Sequence, residues 1–102
     1  MNVLILGLGS IGQRHLRNFK KLDKKLKFFS LRRKYTTPLL NNKNVPQRGK
    51  IEKVYNIKNF KKFDDIKNID IAIICTPSKF HVDEAIKLLK KNIHIFVEKP
   101  LG

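Results

Sequence analysis

The stretch Asn2-Val3-Leu4-Ile5-Leu6-Gly7-Leu8-Gly9-Ser10-Ile11-Gly12 decides the fold of this chain. Val3 to Leu6 is a continuous apolar run closed by a glycine, the pattern of a strand covered on both faces rather than one. The glycines stand in a G-x-G-x-x-G spacing, after which the apolar residues take a helical period: between Ser10 and Leu22, the side chains of Ile11, Leu16, Phe19 and Leu22 are expected on one side. In a strand-turn-helix unit each glycine has its own task. Gly7 permits the tight turn, Gly9 lets backbone approach a pyrophosphate with no Cβ in the way, and Gly12 lets the helix pack closely on the strand. Ser10 and Ile11 open the helix, whose first N–H groups and partial positive charge suit phosphate. The plain alternative is a glycine-rich turn with no ligand.

Outward from this unit the same alternation repeats. Leu26 to Leu31 is a second short apolar run, and from Lys34 to Lys50 the prolines, glycine and asparagines predict a loop with at most a distorted helical turn. A weak strand is expected at Lys53 to Tyr55 and a short helix around Phe60 to Ile66. Ile69 to Cys75 is the most apolar segment and reads as a central parallel strand. Thr76-Pro77-Ser78 stops it, with Ser78 placed to cap a helix from Lys79 to Lys91 whose Val82, Ala85, Ile86 and Leu89 form an apolar stripe. Ile93 to Val97 is a fifth strand, ending in Glu98-Lys99-Pro100. The alternation predicts an α/β chain: a three-layer Rossmann fold with a parallel sheet of about five strands and right-handed crossovers, incomplete at its C-terminal end.

Size and charge bound the function. The 102 residues make one domain, 1–102, with a net charge of +15 from 23 Lys and Arg against 8 Asp and Glu. The lone Cys75 cannot form an internal disulfide, which points to the cytoplasm. The opening apolar run is too short for a signal peptide or a membrane span. A pI near 10.3 invites a nucleic-acid reading. Against it, the charge is scattered and mostly lysine, its longest run is Arg32-Arg33-Lys34, and no DNA- or RNA-binding motif is present.

That basic run stands where a dinucleotide site that prefers NAD carries Asp or Glu, at the end of the second strand. Between Asp23 and Glu52 there is no acidic residue, and the position holds Ser30-Leu31-Arg32-Arg33-Lys34. A guanidinium there can pair with a ribose 2′-phosphate that a carboxylate would repel. The cofactor expected is therefore NADP, with NAD possible, and with Arg32 as first candidate and Arg33 and Ser30 as helpers. Solvated surface charge is the alternative. At the ends of the later strands, Thr76, Pro77 and Ser78 form a turn on the edge where such sheets bind ligands. Lys99 could donate a hydrogen bond or proton to a substrate oxygen if desolvation lowers its pKa.

Together, Gly7-Leu8-Gly9-Ser10-Ile11-Gly12-Gln13-Arg14-His15, Cys75-Thr76-Pro77-Ser78 with His81, and Glu98-Lys99-Pro100 resemble the amino-terminal half of the Gfo/Idh/MocA oxidoreductases. The resemblance implies a Rossmann domain that binds NAD or NADP, followed by an α/β domain with a large open sheet. It implies hydride transfer between the nicotinamide and a secondary alcohol, typically of a sugar or polyol. Lys99 would be catalytic, lying beside the nicotinamide, and Glu98 would help to hold the nicotinamide ribose. The turn from Thr76 to Ser78 would approach the cofactor, His81 would begin the next helix close by, and His15 would pack or orient. Because the sequence stops at Gly102, the expectation is a truncated Rossmann domain, inactive alone, of an enzyme that is homo-oligomeric when full-length. A non-catalytic dinucleotide-binding sensor and a basic nucleic-acid binder are the competing classes.

Overall fold

The computed structural model describes residues 1–31, 38–76 and 81–98, the side chain of His81 excepted. Its elements run β1 (Asn2–Leu6), α1 (Ser10–Leu22), β2 (Lys27–Leu31), β3 (Leu39–Leu40), β4 (Pro46–Gln47), α2 (Ile51–Val54), β5 (Ile57–Phe60), β6 (Ile71–Ile74), α3 (His81–Leu89) and β7 (His94–Val97), with a 3-10 turn at Phe63–Asp65. Five strands form one sheet in the order β5-β2-β1-β6-β7, and every neighbouring pair is parallel. The chain builds outward from β1 through β2 to β5, then crosses back to lay β6 on the other side of β1. The strand order therefore reverses between β1 and β6, where open α/β sheets form a ligand crevice.

Alternate side chains of the central strands feed two cores, as a strand period of two requires. Val3 and Ile5 join Leu16 of α1, Ile51 of α2, Phe28 and Ile73 on one face. Leu4 and Leu6 join Ala72, Ile74, Leu88 of α3 and Ile93 on the other. Leu4, Ile5, Leu16, Ile74 and Leu88 are all 0% exposed, and each such side chain contributes about 1.5–3 kcal/mol by leaving water. The expected α/β layering and five-stranded parallel sheet are present.

Several local expectations need correction. Leu22 is 80% exposed, because the apolar face of α1 ends at Phe19 and Leu26 in the following turn packs on that core instead. On α3 the sheet covers Ala85 and Leu88, leaving Val82, Ile86 and Leu89 exposed. The helix carries two overlapping apolar stripes, and the position of β6 and β7 selects the one that is buried. The expected strand near Lys53 is helix α2, and the strand comes later as β5, after Asn56 turns the chain at φ 52°. The helix expected from Phe60 to Ile66 shrinks to the 3-10 turn. Within the expected loop, β3 and β4 pair antiparallel across a turn in which Asn41 Oδ1 accepts the N–H of Lys43 and Val45. Among the described residues no helix is long and apolar enough to cross a membrane.

Candidate functional site

The first turn shows why its glycines are where they are. Gly7 sits at φ +92°, and a Cβ on it would meet Cys75 C, Cys75 O and Thr76 N at 2.8–2.9 Å. Backbone cannot step aside as a flexible side chain would, so β1 and β6 close on each other only with glycine here. A Cβ on Gly12 would lie 2.0 Å from Gly7 O, which forces glycine where helix meets turn. Gly9 differs. It is the extended N-cap of α1, it has no side-chain cap, and a Cβ on it would meet nothing within 4 Å. The chain itself gives Gly9 no reason to be glycine.

The first helical bond runs from Gln13 N to Gly9 O at 3.0 Å. The N–H groups of Ser10, Ile11 and Gly12 thus have no acceptor within the helix, and no acidic residue lies in its first turn. This is the donor arrangement to which an anion binds. The open space beside Gly9 and the donors behind it fit a dinucleotide pyrophosphate.

Beside this turn stand the ends of β6 and β7. Cys75 N–H donates to Leu6 O at 2.7 Å, and Glu98 N–H donates to Ile74 O at 3.0 Å, so the glycine turn, Thr76 and Glu98 follow one another along one sheet edge. Thr76 donates its hydroxyl to the Glu84 carboxylate of α3. Glu98 Oε2 lies 3.1 Å from His15 Nε2 of α1, a link between the first helix and the last strand. Burial, with the charge of Glu98 adding to it and that of Arg14 opposing, pushes the Cys75 thiol up to about 11. Cys75 is therefore a thiol, not a thiolate nucleophile, at neutral pH.

The remaining expected site residues divide. Ser30 is 0% exposed, and its hydroxyl donates to Ile5 O at 2.6 Å, tying β2 to β1 within the sheet. That hydroxyl proton is committed to the sheet. His81 opens α3. Arg32, Arg33, Pro77, Ser78 and Lys99 lie outside the described residues.

Gln13 is the residue that sequence reading passed over. It is 0% exposed; its Nε2 donates to Leu8 O and to Pro38 O, both at 2.9 Å, and its Oε1 accepts from Leu40 N–H at 2.7 Å. One side chain thus joins the glycine turn to the β3 segment. Its signal was available, since position 13 lies three residues before Leu16 and so on the buried side of α1. At β5, opposite Ser30, Asn59 Oδ1 is buried with no hydrogen-bond partner. A depression of about 520 Å³ lined by Phe63, Asp64, Lys87, Lys90 and Lys91 lies at the opposite sheet edge, where α3 ends, and takes no part in this site.

Compared with known proteins, all of residues 1–102 match the family model described as the oxidoreductase family with an NAD-binding Rossmann fold. The chain belongs to the Gfo/Idh/MocA oxidoreductase family. A curated relative, the myo-inositol 2-dehydrogenase of Thermotoga maritima, is 27% identical over 102 residues, which are all of this chain but 29% of that protein. The chain thus spans less than a third of that relative's length. Among solved structures it is similar to a probable dehydrogenase from Thermotoga maritima, with TM-score 0.68 and 22% identity over 100% of this chain and 28% of that one. It is also similar to biliverdin reductase from Synechocystis sp. PCC 6803, solved with biliverdin and NADP+, with TM-score 0.67 and 21% identity over 99% of this chain and 30% of that one. At these identities the structural likenesses establish the shared Rossmann fold. The family match over the whole chain makes this an NAD(P)-binding Rossmann domain of that family.

Proposed function

We propose that these residues bind NADP as the nucleotide-binding part of a cytoplasmic dehydrogenase acting on a secondary alcohol of a sugar or polyol. The observation that carries the binding is Gly9, a glycine whose missing side chain serves only the space outside the chain, in front of helix donors without helical acceptors. The family match and the likeness to an inositol dehydrogenase support the substrate class. NADP, when bound, supplies the hydride acceptor at C4 of its nicotinamide. The chain's own residues bind and orient. The α1 N-terminus takes the pyrophosphate, Arg32 with Arg33 takes the 2′-phosphate, and Glu98 accepts from a nicotinamide ribose hydroxyl. Thr76, Pro77, Ser78 and His81 shape the neighbouring wall, and Lys99 holds and moves the proton of the reacting oxygen. The substrate pocket and further acid/base groups come from a second domain.

The preference for NADP rests on the absence of any acid between Asp23 and Glu52 and on the basic run Arg32-Arg33-Lys34. Titration with NADPH and NADH tests it. Tighter binding of NADPH, with the advantage abolished by Arg32→Ala, is the expected result; equal affinities unmoved by that substitution would overturn the preference. Lys99→Ala in an enzyme that turns over should lower kcat strongly with little change in cofactor affinity, and unchanged turnover would remove Lys99 from its role.

A further inference from the structure

His15 and Glu98 are 83 positions apart in sequence, yet His15 Nε2 lies 3.1 Å from Glu98 Oε2. An ionised carboxylate only accepts, so in this bond Nε2 carries the proton. The two side chains are 21% and 24% exposed, so the link is partly sheltered from water. The imidazole is held on two sides, stacked on Phe19 with centroids 6.3 Å apart and met by the edge of Phe96 at 6.4 Å. Phe19 comes from α1 and Phe96 from β7, so the ring is fixed by the same two elements that its hydrogen bond joins. A free glutamate rotates about three side-chain bonds, and this one has an oxygen assigned to a fixed donor.

We infer that His15 is a positioning residue for the nicotinamide half of the bound dinucleotide. It does not touch the cofactor; it holds the Glu98 carboxylate in one orientation on the ligand edge, one residue before Lys99. The inference rests on the proposed dinucleotide binding and adds a division of labour within α1. Its first turn serves the pyrophosphate, and the turn after it serves the opposite end of the same ligand through Glu98. An alternative role in which His15 merely braces α1 against β7 would affect every part of the ligand, or only stability.

The test uses whichever of NADPH and NADH the chain binds more tightly, followed by nicotinamide fluorescence. The matching nicotinamide-free ADP-ribose compound is titrated in parallel by calorimetry. His15→Leu should weaken the full dinucleotide by roughly 2- to 10-fold, the factor lost with one preordered side chain, and leave the nicotinamide-free compound unchanged. His15→Gln, whose amide N–H reaches the same oxygen, should restore affinity, and in a Glu98→Ala background His15→Leu should have no further effect. Equal weakening of both ligands, no weakening of either, or a full His15→Leu effect without Glu98 would each overturn the positioning role. Failure of the unmodified chain to bind either ligand would overturn the dinucleotide reading itself and this role with it.

Discussion

Gln13→Leu removes a side chain that is wholly buried and keeps nearly the same volume, so its effect isolates hydrogen bonding from packing. Three backbone groups lose their partner: the Leu40 N–H, which gave to Oε1 at 2.7 Å, and the carbonyls of Leu8 and Pro38, which took from Nε2 at 2.9 Å. A buried group left without a partner costs about 1–3 kcal/mol. The donor at Leu40 carries most of this, because a carbonyl tolerates one missing bond more easily than an N–H does. Leu40 and Pro38 are less buried than Gln13, so water recovers part of the loss. The net expectation is a loss of about 2–4 kcal/mol, a large share of the roughly 5–15 kcal/mol that a domain commonly has.

Chemical denaturation in urea reads this as a lower midpoint with an unchanged slope, since the same surface is exposed on unfolding. For a domain of this size the melting temperature should fall by roughly 10–25 °C. Gln13→Glu sharpens the test. Its carboxylate can still accept from Leu40 N–H, but it faces the Leu8 and Pro38 oxygens with no proton to offer and carries a buried charge. At pH 7 it should be at least as damaging as Gln13→Leu, and it should recover partly below about pH 5, where a protonated carboxyl can donate. A Gln13→Leu loss under about 1 kcal/mol, or a Gln13→Glu chain as stable as the unmodified one, would refute the hydrogen-bond account.

Three further outcomes separate fold from site. Gly12→Ala, whose Cβ would lie 2.0 Å from Gly7 O, should abolish cooperative unfolding seen by circular dichroism, whereas Gly9→Ala should lower stability by no more than about 1 kcal/mol while weakening nucleotide binding. Ser30→Ala should cost about 1 kcal/mol in urea denaturation through the lost bond to Ile5 O, and should leave the ratio of NADPH to NADH affinity where it was. Cys75 has its thiol pKa raised from 9.0 to about 11, so folding favours its protonated form: the stability from this group is full below pH 9 and is lost as pH rises through 11. Iodoacetamide should accordingly label native Cys75 slowly at pH 8, and Glu98→Gln should bring the labelling profile to lower pH; rapid native labelling at pH 8 would contradict this.

What was legible in the sequence follows burial on both faces. β1 and α1 have the expected limits, Asn2–Leu6 and Ser10–Leu22, because a strand covered on both sides leaves an uninterrupted apolar run and glycines mark its end. β5 is an edge strand in which Lys58 and Asn59 interrupt the apolar residues, so its position was misjudged by several residues. The stripe on α3 could not be chosen from periodicity alone, since Val82, Ile86 and Leu89 have helical spacing as good as that of Ala85 and Leu88. The His15–Glu98 link and the bonds of Gln13 to Pro38 and Leu40 depend on tertiary proximity across 83, 25 and 27 positions, which local pattern does not encode. The bond from the Ser30 hydroxyl to Ile5 O on the neighbouring strand spans 25 positions and is hidden from local pattern in the same way.

Part of the chain's positive charge can be assigned to one sheet edge, and the assignment bears on the cofactor. Arg17, Lys20, Lys21 and Lys24 surround a shallow depression with Val54 and Tyr55 toward the end of α1, and Lys87, Lys90 and Lys91 stand at or after the end of α3. Both helices run back from the ligand edge, so these cations gather at the opposite edge. A strand of five residues spans about 17 Å, which is about two screening lengths at physiological salt, so they contribute little to the field at a bound phosphate. Lys20 is further engaged, donating to Val54 O at 3.1 Å and lying over the Tyr55 ring. Arg32, Arg33 and Lys34, outside the described residues, follow in sequence on Leu31, the last residue of β2. Neutralising the far cluster by Lys20→Gln, Lys21→Gln and Lys24→Gln should therefore leave NADPH affinity within about twofold at 0.15 M salt, whereas Arg32→Ala alone should lower it by roughly tenfold or more, as loss of a charge-assisted hydrogen-bonding pair does. Equal sensitivity to both changes would mean that the chain attracts the phosphate through its total charge and not through one placed guanidinium.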